Sequence, residues 1–212
     1  MNMPKLKGLY VITDEKLTTY DKIVEMVEKA LKGGAKIVQL RDKTNSDDFL
    51  ILNGFLLKEL CEKYNAYFIV NDRVDLALKI NAHGVHIGKE DADITEVKKK
   101  LKNKIIGVSC YGDIERAKIM ESLGASYVAF GSFYPSPTKP EAKIVDKSII
   151  QQAKKVLSIP VCVIGGLNVE RAKELVCLGA DIVAVVSDIW TAPSIEERAK
   201  EYKNLFISGS VF

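Results

Sequence analysis

The amino-acid sequence predicts an α/β protein built as a single (β/α)8 barrel, a TIM barrel, over residues 1–212. Three observations carry that expectation. Short apolar runs alternate with longer segments of helical period. Most of the runs are apolar throughout, the pattern of parallel strands covered on both faces. A turn signature also recurs: Gly34-Ala35-Lys36-Ile37-Val38, Gly124-Ala125-Ser126-Tyr127-Val128 and Gly179-Ala180-Asp181-Ile182-Val183, with a weaker copy at Ala82-His83-Gly84-Val85. Glycine adopts the left-handed conformation that ends a helix, so each copy marks a helix-to-strand turn.

Taken in order, the predicted strands are 8–14 (GLYVITD), 36–41 (KIVQLR), 67–72 (YFIVND) and 84–88 (GVHIG). They continue with 105–109 (IIGVS), 127–132 (YVAFGS), 160–166 (PVCVIGG) and 182–187 (IVAVVS). The first helix, 21–31, places Ile23, Val24, Val27, Ala30 and Leu31 on one face and stops at Gly33-Gly34. The second, 47–64, follows an Asn45/Ser46 cap signal. A short element after Asp72 and one over 93–102 come next. Segments 113–123, 146–157 and 168–178 each open on a residue able to cap, and 194–205 closes the set. Eight strand–helix units of about 26 residues with right-handed crossovers make a closed barrel. A doubly wound sheet has fewer strands at this length, and its GxGxxG turn is missing.

Composition narrows the function. Apolar residues form 47% and charged residues 28% of the chain, a globular balance that excludes disorder. No apolar run reaches the roughly 18 residues of a membrane span, and the first residues carry no signal-peptide core, so a cytoplasmic protein without membrane partners is expected. The 31 Lys and Arg nearly balance 28 Asp and Glu, with no basic patch for nucleic acid. The cluster Lys98, Lys99, Lys100, Lys102 and Lys104 follows an Ile94/Val97/Leu101 stripe and reads as a solvated helix face. Cys61, Cys110, Cys162 and Cys177 form no CxxC pair and have no histidine at zinc spacing, as for reduced structural thiols.

Barrel active sites lie at the C-terminal ends of the strands. Those ends carry Thr13-Asp14, Gln39-Leu40-Arg41-Asp42-Lys43, Asn71-Asp72, Glu90-Asp91, Ser109, Ser136-Pro137-Thr138-Lys139, Gly165-Gly166 and Val186-Ser187. On an extended backbone Gln39, Arg41 and Lys43 alternate to one side. Arg beside Lys suits a polyanion, since the guanidinium forks two oxygens and the ammonium acts as a point charge. Asp72 and Asp91, ending adjacent strands, suit Mg²⁺ shared with a polyphosphate; helix salt bridges are their alternative. Gly165-Gly166 before the Asn168 helix start offers backbone N–H groups to a phosphate, or simply closes a tight turn. Lys139, in a Pro-flanked loop, adds a third cation. His83 and His86 read as structural, and no Ser/His/Asp or Cys/His nucleophile set is present. The profile suits loss of pyrophosphate, with cations and metal absorbing the developing charge.

The ordered set LYVITD, VQLRDK (38–43), VNDRVDLAL (70–78), GVHIGKED (84–91), GVSCY (107–111), FGSFYPSPTK (130–139), PVCVIGGL (160–167) and VAVVS (183–187) resembles the thiamine-phosphate synthase (thiamine-phosphate pyrophosphorylase) family from residue 8 to 189. The resemblance implies a (β/α)8 transferase of thiamine biosynthesis that requires Mg²⁺. It would join 4-amino-2-methyl-5-(diphosphooxymethyl)pyrimidine to 4-methyl-5-(2-phosphooxyethyl)thiazole, giving thiamine phosphate and pyrophosphate. By the family pattern, Gln39, Arg41, Lys43, Asn71, Ser109 and Lys139 hold the pyrimidine and its diphosphate. Arg41, Lys43 and Lys139 are then catalytic, and Asp72 and Asp91 are the Mg²⁺ ligands. Ser136 and Thr138, with the backbone of Gly166, Val186 and Ser187, hold the thiazole phosphate. Ser136 stands where the family more often has Thr, Lys89 where Gln is usual and Ser132 where Pro is common.

Two alternatives accompany this expectation. A thiazole tautomerase of the same pathway has the same fold and phosphate site but needs a proton shuttle rather than a diphosphate clamp. A non-catalytic phosphate-binding barrel would bind without releasing pyrophosphate. Oligomeric state is not legible. The 132–142 segment is expected to close over the substrates, from its length and its Lys139.

Overall fold

In a computed structural model, which describes residues 5–137 and 139–207, eight parallel strands close in chain order into a barrel. They are β1 (Gly8–Ile12), β2 (Ile37–Leu40), β3 (Tyr67–Asn71), β4 (Gly84–Ile87), β5 (Ile105–Tyr111), β6 (Tyr127–Phe130), β7 (Val161–Val163) and β8 (Ile182–Val185). Closure is made by β8 against β1, with Gly8 opposite Ile182 and Val11 opposite Val185. The helices are α1 (Ile23–Lys32), α2 (Asp47–Lys63), α3 (Val74–Lys79), α4 (Ile94–Lys100), α5 (Ile114–Ser122), α6 (Ser148–Val156), α7 (Val169–Cys177), α8 (Ser187–Trp190) and α9 (Ile195–Ile207).

Each strand is buried on both faces, as its uniform apolarity requires. Outward residues such as Val11, Val38, Phe68 and Val85 meet the apolar stripes of the helices; in α1 these are Ile23, Val27, Ala30 and Leu31. Inward residues form a second cluster inside the barrel, including Tyr10, Ile37, Ile69, Ile105, Tyr127, Cys162 and Ile182. Here two glycines make room for large neighbours. A Cβ on Gly107 would lie 2.0 Å from Tyr127 Cζ, and one on Gly84 would lie 2.1 Å from the Ile105 carbonyl oxygen. Burial pushes the Cys110 thiol up to about 12, as expected for an inert packed thiol.

Several boundaries differ from the sequence expectation. Asp21 and Asp146 do not cap their helices, which start later, at Ile23 and Ser148. Asp146 instead accepts from the Ser148 N–H at 2.8 Å. The β2 strand ends at Leu40, so Arg41 and Lys43 do not reach the mouth by strand alternation; only Gln39 does. A four-residue helix, α8, was absent from the predicted set because four residues carry no period. Of the apolar tail, Phe206 packs partly on the core and Ile207 is exposed, while Val211 and Phe212 lie outside the described residues.

Candidate active site

The strand ends bring most of the predicted residues to one mouth. After β2 the chain turns around Asp42. The Asp42 carboxylate accepts from the Thr44 N–H at 2.9 Å, the Asn45 N–H at 2.8 Å and the Tyr20 hydroxyl. Burial opposes ionisation of Asp42, yet these hydrogen bonds hold its carboxyl below the usual range. Arg73 pins the same turn: Nε and Nη2 donate to the Asp42 carbonyl oxygen at 3.2 and 3.0 Å, and Nη1 to Asp47 at 2.8 Å. The Arg41 N–H donates to Thr13 Oγ1 at 3.0 Å and the Lys43 N–H to Glu15 at 3.1 Å. A turn built on Asp42, rather than a pleat, therefore positions Arg41 and Lys43.

Across the mouth, Lys139 faces both. Partial desolvation and the charges of Arg41 and Lys43 lower the Lys139 ammonium below the usual lysine range. The Arg41 and Lys43 charges thus reach the Lys139 ammonium.

Asp72 leaves β3 with φ +63°, a left-handed turn that Asp tolerates better than most residues. Its N–H donates to the His86 carbonyl oxygen at 2.8 Å. Its carboxyl lies within reach of the Asp91 charge, and Asp91 Oδ2 accepts from the Gly88 N–H at 2.6 Å. Burial first, then the neighbouring Asp91 carboxylate, raise Asp72 above the usual carboxylate range against the pull of Lys43 and Arg73. The helix-salt-bridge alternative does not describe this pair. Among the described residues no group of three or more His, Cys, Asp or Glu side chains that could hold a metal ion is found. Next to Asp72, Asn71 Nδ2 is a buried donor without a partner among the described residues, the kind of group a bound acceptor satisfies.

Below this rim a continuous chain of side chains crosses the barrel. Gln39 Nε2 donates to Tyr10 Oη at 2.6 Å; Tyr10 Oη lies 2.8 Å from Tyr127 Oη; Tyr127 Oη lies 2.7 Å from His86 Nδ1; and His86 Nε2 lies 2.7 Å from Ser109 Oγ. Burial lowers His86 to about 4, so the imidazole is neutral at neutral pH. His83, by contrast, accepts from the Phe68 N–H at 2.7 Å and stays structural. Tyr10 and Tyr127 were not singled out from sequence, and His86 was read there as structural; their signal was a phenol or imidazole at an inward position of an otherwise apolar strand.

The other side of the mouth is built from β6–β8 ends. Gly165 and Gly166 adopt φ +111° and +62°. A Cβ at Gly166 would lie 2.4 Å from the Pro135 carbonyl oxygen, and one at Gly165 2.3 Å from Ser132 Oγ. The double glycine thus lets the β6 loop, with half-buried Ser136, pack directly on this turn. Arg171 Nη1 donates to the Gly166 carbonyl oxygen at 2.7 Å, with its guanidinium 4.7 Å from the Tyr134 ring centre. Val186 and Ser187 open α8, whose Trp190 Nε1 donates to the Ile12 carbonyl oxygen at 2.7 Å and ties it to β1. Thr138 lies outside the described residues.

The family model for thiamine monophosphate synthase matches residues 9–189. The thiamine-phosphate synthase of Thioalkalivibrio sulfidiphilus is 40% identical over 203 residues, 95% of this chain and 96% of that one. That of Wolinella succinogenes is 40% identical over 205 residues, covering 96% and 94%. Among solved structures, a thiamine phosphate pyrophosphorylase from Pyrococcus furiosus superposes with a TM-score of 0.86 at 36% identity, covering 93% of this chain and 94% of that one.

Proposed function

The chain belongs to the thiamine monophosphate synthase family and is an enzyme of that activity, and we propose that its mouth joins an aminopyrimidine methyl diphosphate to a thiazole phosphate with Mg²⁺ held by Asp72 and Asp91. What supports this reading is that burial and the nearby Arg41 and Lys43 charges lower the Lys139 ammonium below the usual lysine range, a repulsion that a diphosphate bound among these residues would relieve. A divalent ion on the acid pair would neutralise charge on the same diphosphate.

The residues then act as follows. Arg41, Lys43 and Lys139 draw off the electron pair of the breaking methylene C–O bond as the diphosphate departs. The amino-substituted ring stabilises the cation left behind, and the thiazole nitrogen lone pair forms the new C–N bond. No enzymic nucleophile is required. Gln39, Asn71 and Ser109 hold the pyrimidine, the Asn71 amide finding its acceptor there. Backbone N–H groups at Gly166, Val186 and Ser187, with Ser136, bind the thiazole phosphate, favoured by an α8 start that carries no side-chain cap among the described residues. Thr138 completes this set by the family pattern. The 132–142 segment closes over both.

Pyrophosphate release that needs both half-molecules and magnesium supports this reading. Turnover of a thiazole carboxylate phosphate without metal would replace it with the tautomerase, and binding without turnover would replace it with a phosphate-binding barrel.

A further inference from the structure

We propose that the buried chain Gln39–Tyr10–Tyr127–His86–Ser109 is a polarity lock that sets which end of the pyrimidine site accepts and which donates, and thereby selects an amino- over an oxo-pyrimidine. The inference rests on the reading that Gln39 and Ser109 hold the pyrimidine.

The chain has a single consistent order once its first donor is placed. Gln39 Nε2 donates to Tyr10 Oη. Tyr10 and Tyr127 are buried, so each hydroxyl proton needs an acceptor within the chain. Tyr10 therefore donates to Tyr127, and Tyr127 to His86 Nδ1. With Nδ1 accepting from Tyr127, the His86 ring proton sits on Nε2 and is donated to Ser109 Oγ. Ser109 accepts from inside the barrel and keeps its own O–H for a ligand. Gln39, with its amide nitrogen engaged at Tyr10, keeps its carbonyl oxygen to accept.

An aminopyrimidine matches both ends, offering an exocyclic N–H to Gln39 and a ring nitrogen to the Ser109 hydroxyl. A pyrimidine carrying an oxo group in place of the amine sets oxygen against oxygen at Gln39. Accommodating it requires turning the Gln39 amide, which then demands that every proton in the chain reverse and that His86 change tautomer. Tyr10, Tyr127 and His86 touch no reacting atom in this account; they are positioning residues.

Nitrogen-15 NMR of the histidine side chains reads the lock directly, with His83→Gln identifying the second histidine. The expected signal is the Nε2–H tautomer of His86; an Nδ1–H tautomer or an imidazolium at neutral pH would overturn the order. Inhibition by the amino- and oxo-pyrimidine methyl diphosphates gives the functional arm. The wild-type protein is expected to prefer the amino compound by about 10²-fold or more. Tyr127→Phe, or Tyr10→Phe should that variant fold poorly, cuts the chain and is expected to shrink the preference at least tenfold, with thiazole phosphate affinity unchanged. A variant that keeps the full preference overturns the lock. Failure of the wild type to bind either pyrimidine overturns the assignment of this end of the barrel and the selectivity with it, whereas the tautomer still reports the order of the chain.

Discussion

Asp72, at the end of β3, and Asp91, after β4, stand close enough that burial first and then the Asp91 charge raise the Asp72 carboxyl above the usual carboxylate range. A divalent cation on the two carboxylates therefore competes with a proton that Asp72 keeps to higher pH than a free carboxylate does. Because the folded pKa of Asp72 lies above its unfolded value, Asp72 contributes stability that is fully present at pH below the unfolded carboxylate range, about 4. That contribution is lost as pH rises through the folded pKa. Magnesium affinity therefore falls as pH drops through the same titration, which calorimetry at several pH values measures. Asp72→Asn keeps the left-handed turn, removes the charge conflict and is expected to raise the metal-free unfolding midpoint by about 2–4 °C per kcal/mol recovered, while abolishing magnesium-dependent turnover.

Arg41→Ala and Lys139→Ala each remove a cation from the space assigned to the leaving group. By analogy with the loss of one oxyanion donor, each is expected to lower kcat by about 10²–10³. Lys139 replacement relieves repulsion on Arg41 and Lys43, so its metal-free protein does not lose stability in thermal melts. Near-native turnover of Arg41→Ala contradicts the assignment.

How much of this was legible beforehand varies with the physics involved. The barrel followed from uniform apolarity in the strands and Gly-Ala turns, because both faces of each strand must be covered. The rim residues were found because strand ends carry polar groups that no core needs. The polarity lock was not, since its members sit at inward positions that a pattern of apolar residues conceals; His86 was taken as structural. Arg73 and Arg171 were missed because each acts on a carbonyl oxygen, of Asp42 and Gly166, that only the folded loops bring within reach.

Arg171 offers a selective lesion. Arg171→Met removes the donor to the Gly166 carbonyl oxygen while keeping a stem over Tyr134. Loss of one charge-assisted hydrogen bond is expected to raise KM for the thiazole phosphate about tenfold, with KM for the pyrimidine diphosphate unchanged. Initial-rate kinetics with each substrate varied separately checks the split.

Gly107→Ala would place a methyl group 2.0 Å from Tyr127 Cζ. Overpacking of this kind is expected to cost about 1–3 kcal/mol, read by urea denaturation. The displaced Tyr127 hydroxyl also breaks its contacts with Tyr10 and His86, so the His86 tautomer signal changes in the same variant.

The most direct test of the central claim is a crystal structure with pyrophosphate, magnesium and the thiazole phosphate together. The account predicts pyrophosphate between Arg41, Lys43 and Lys139, magnesium joining it to Asp72 and Asp91, and the thiazole phosphate against Gly166 and Ser187. Pyrophosphate seated at Gly166 and Ser187 instead, or magnesium bound away from both carboxylates, would contradict it.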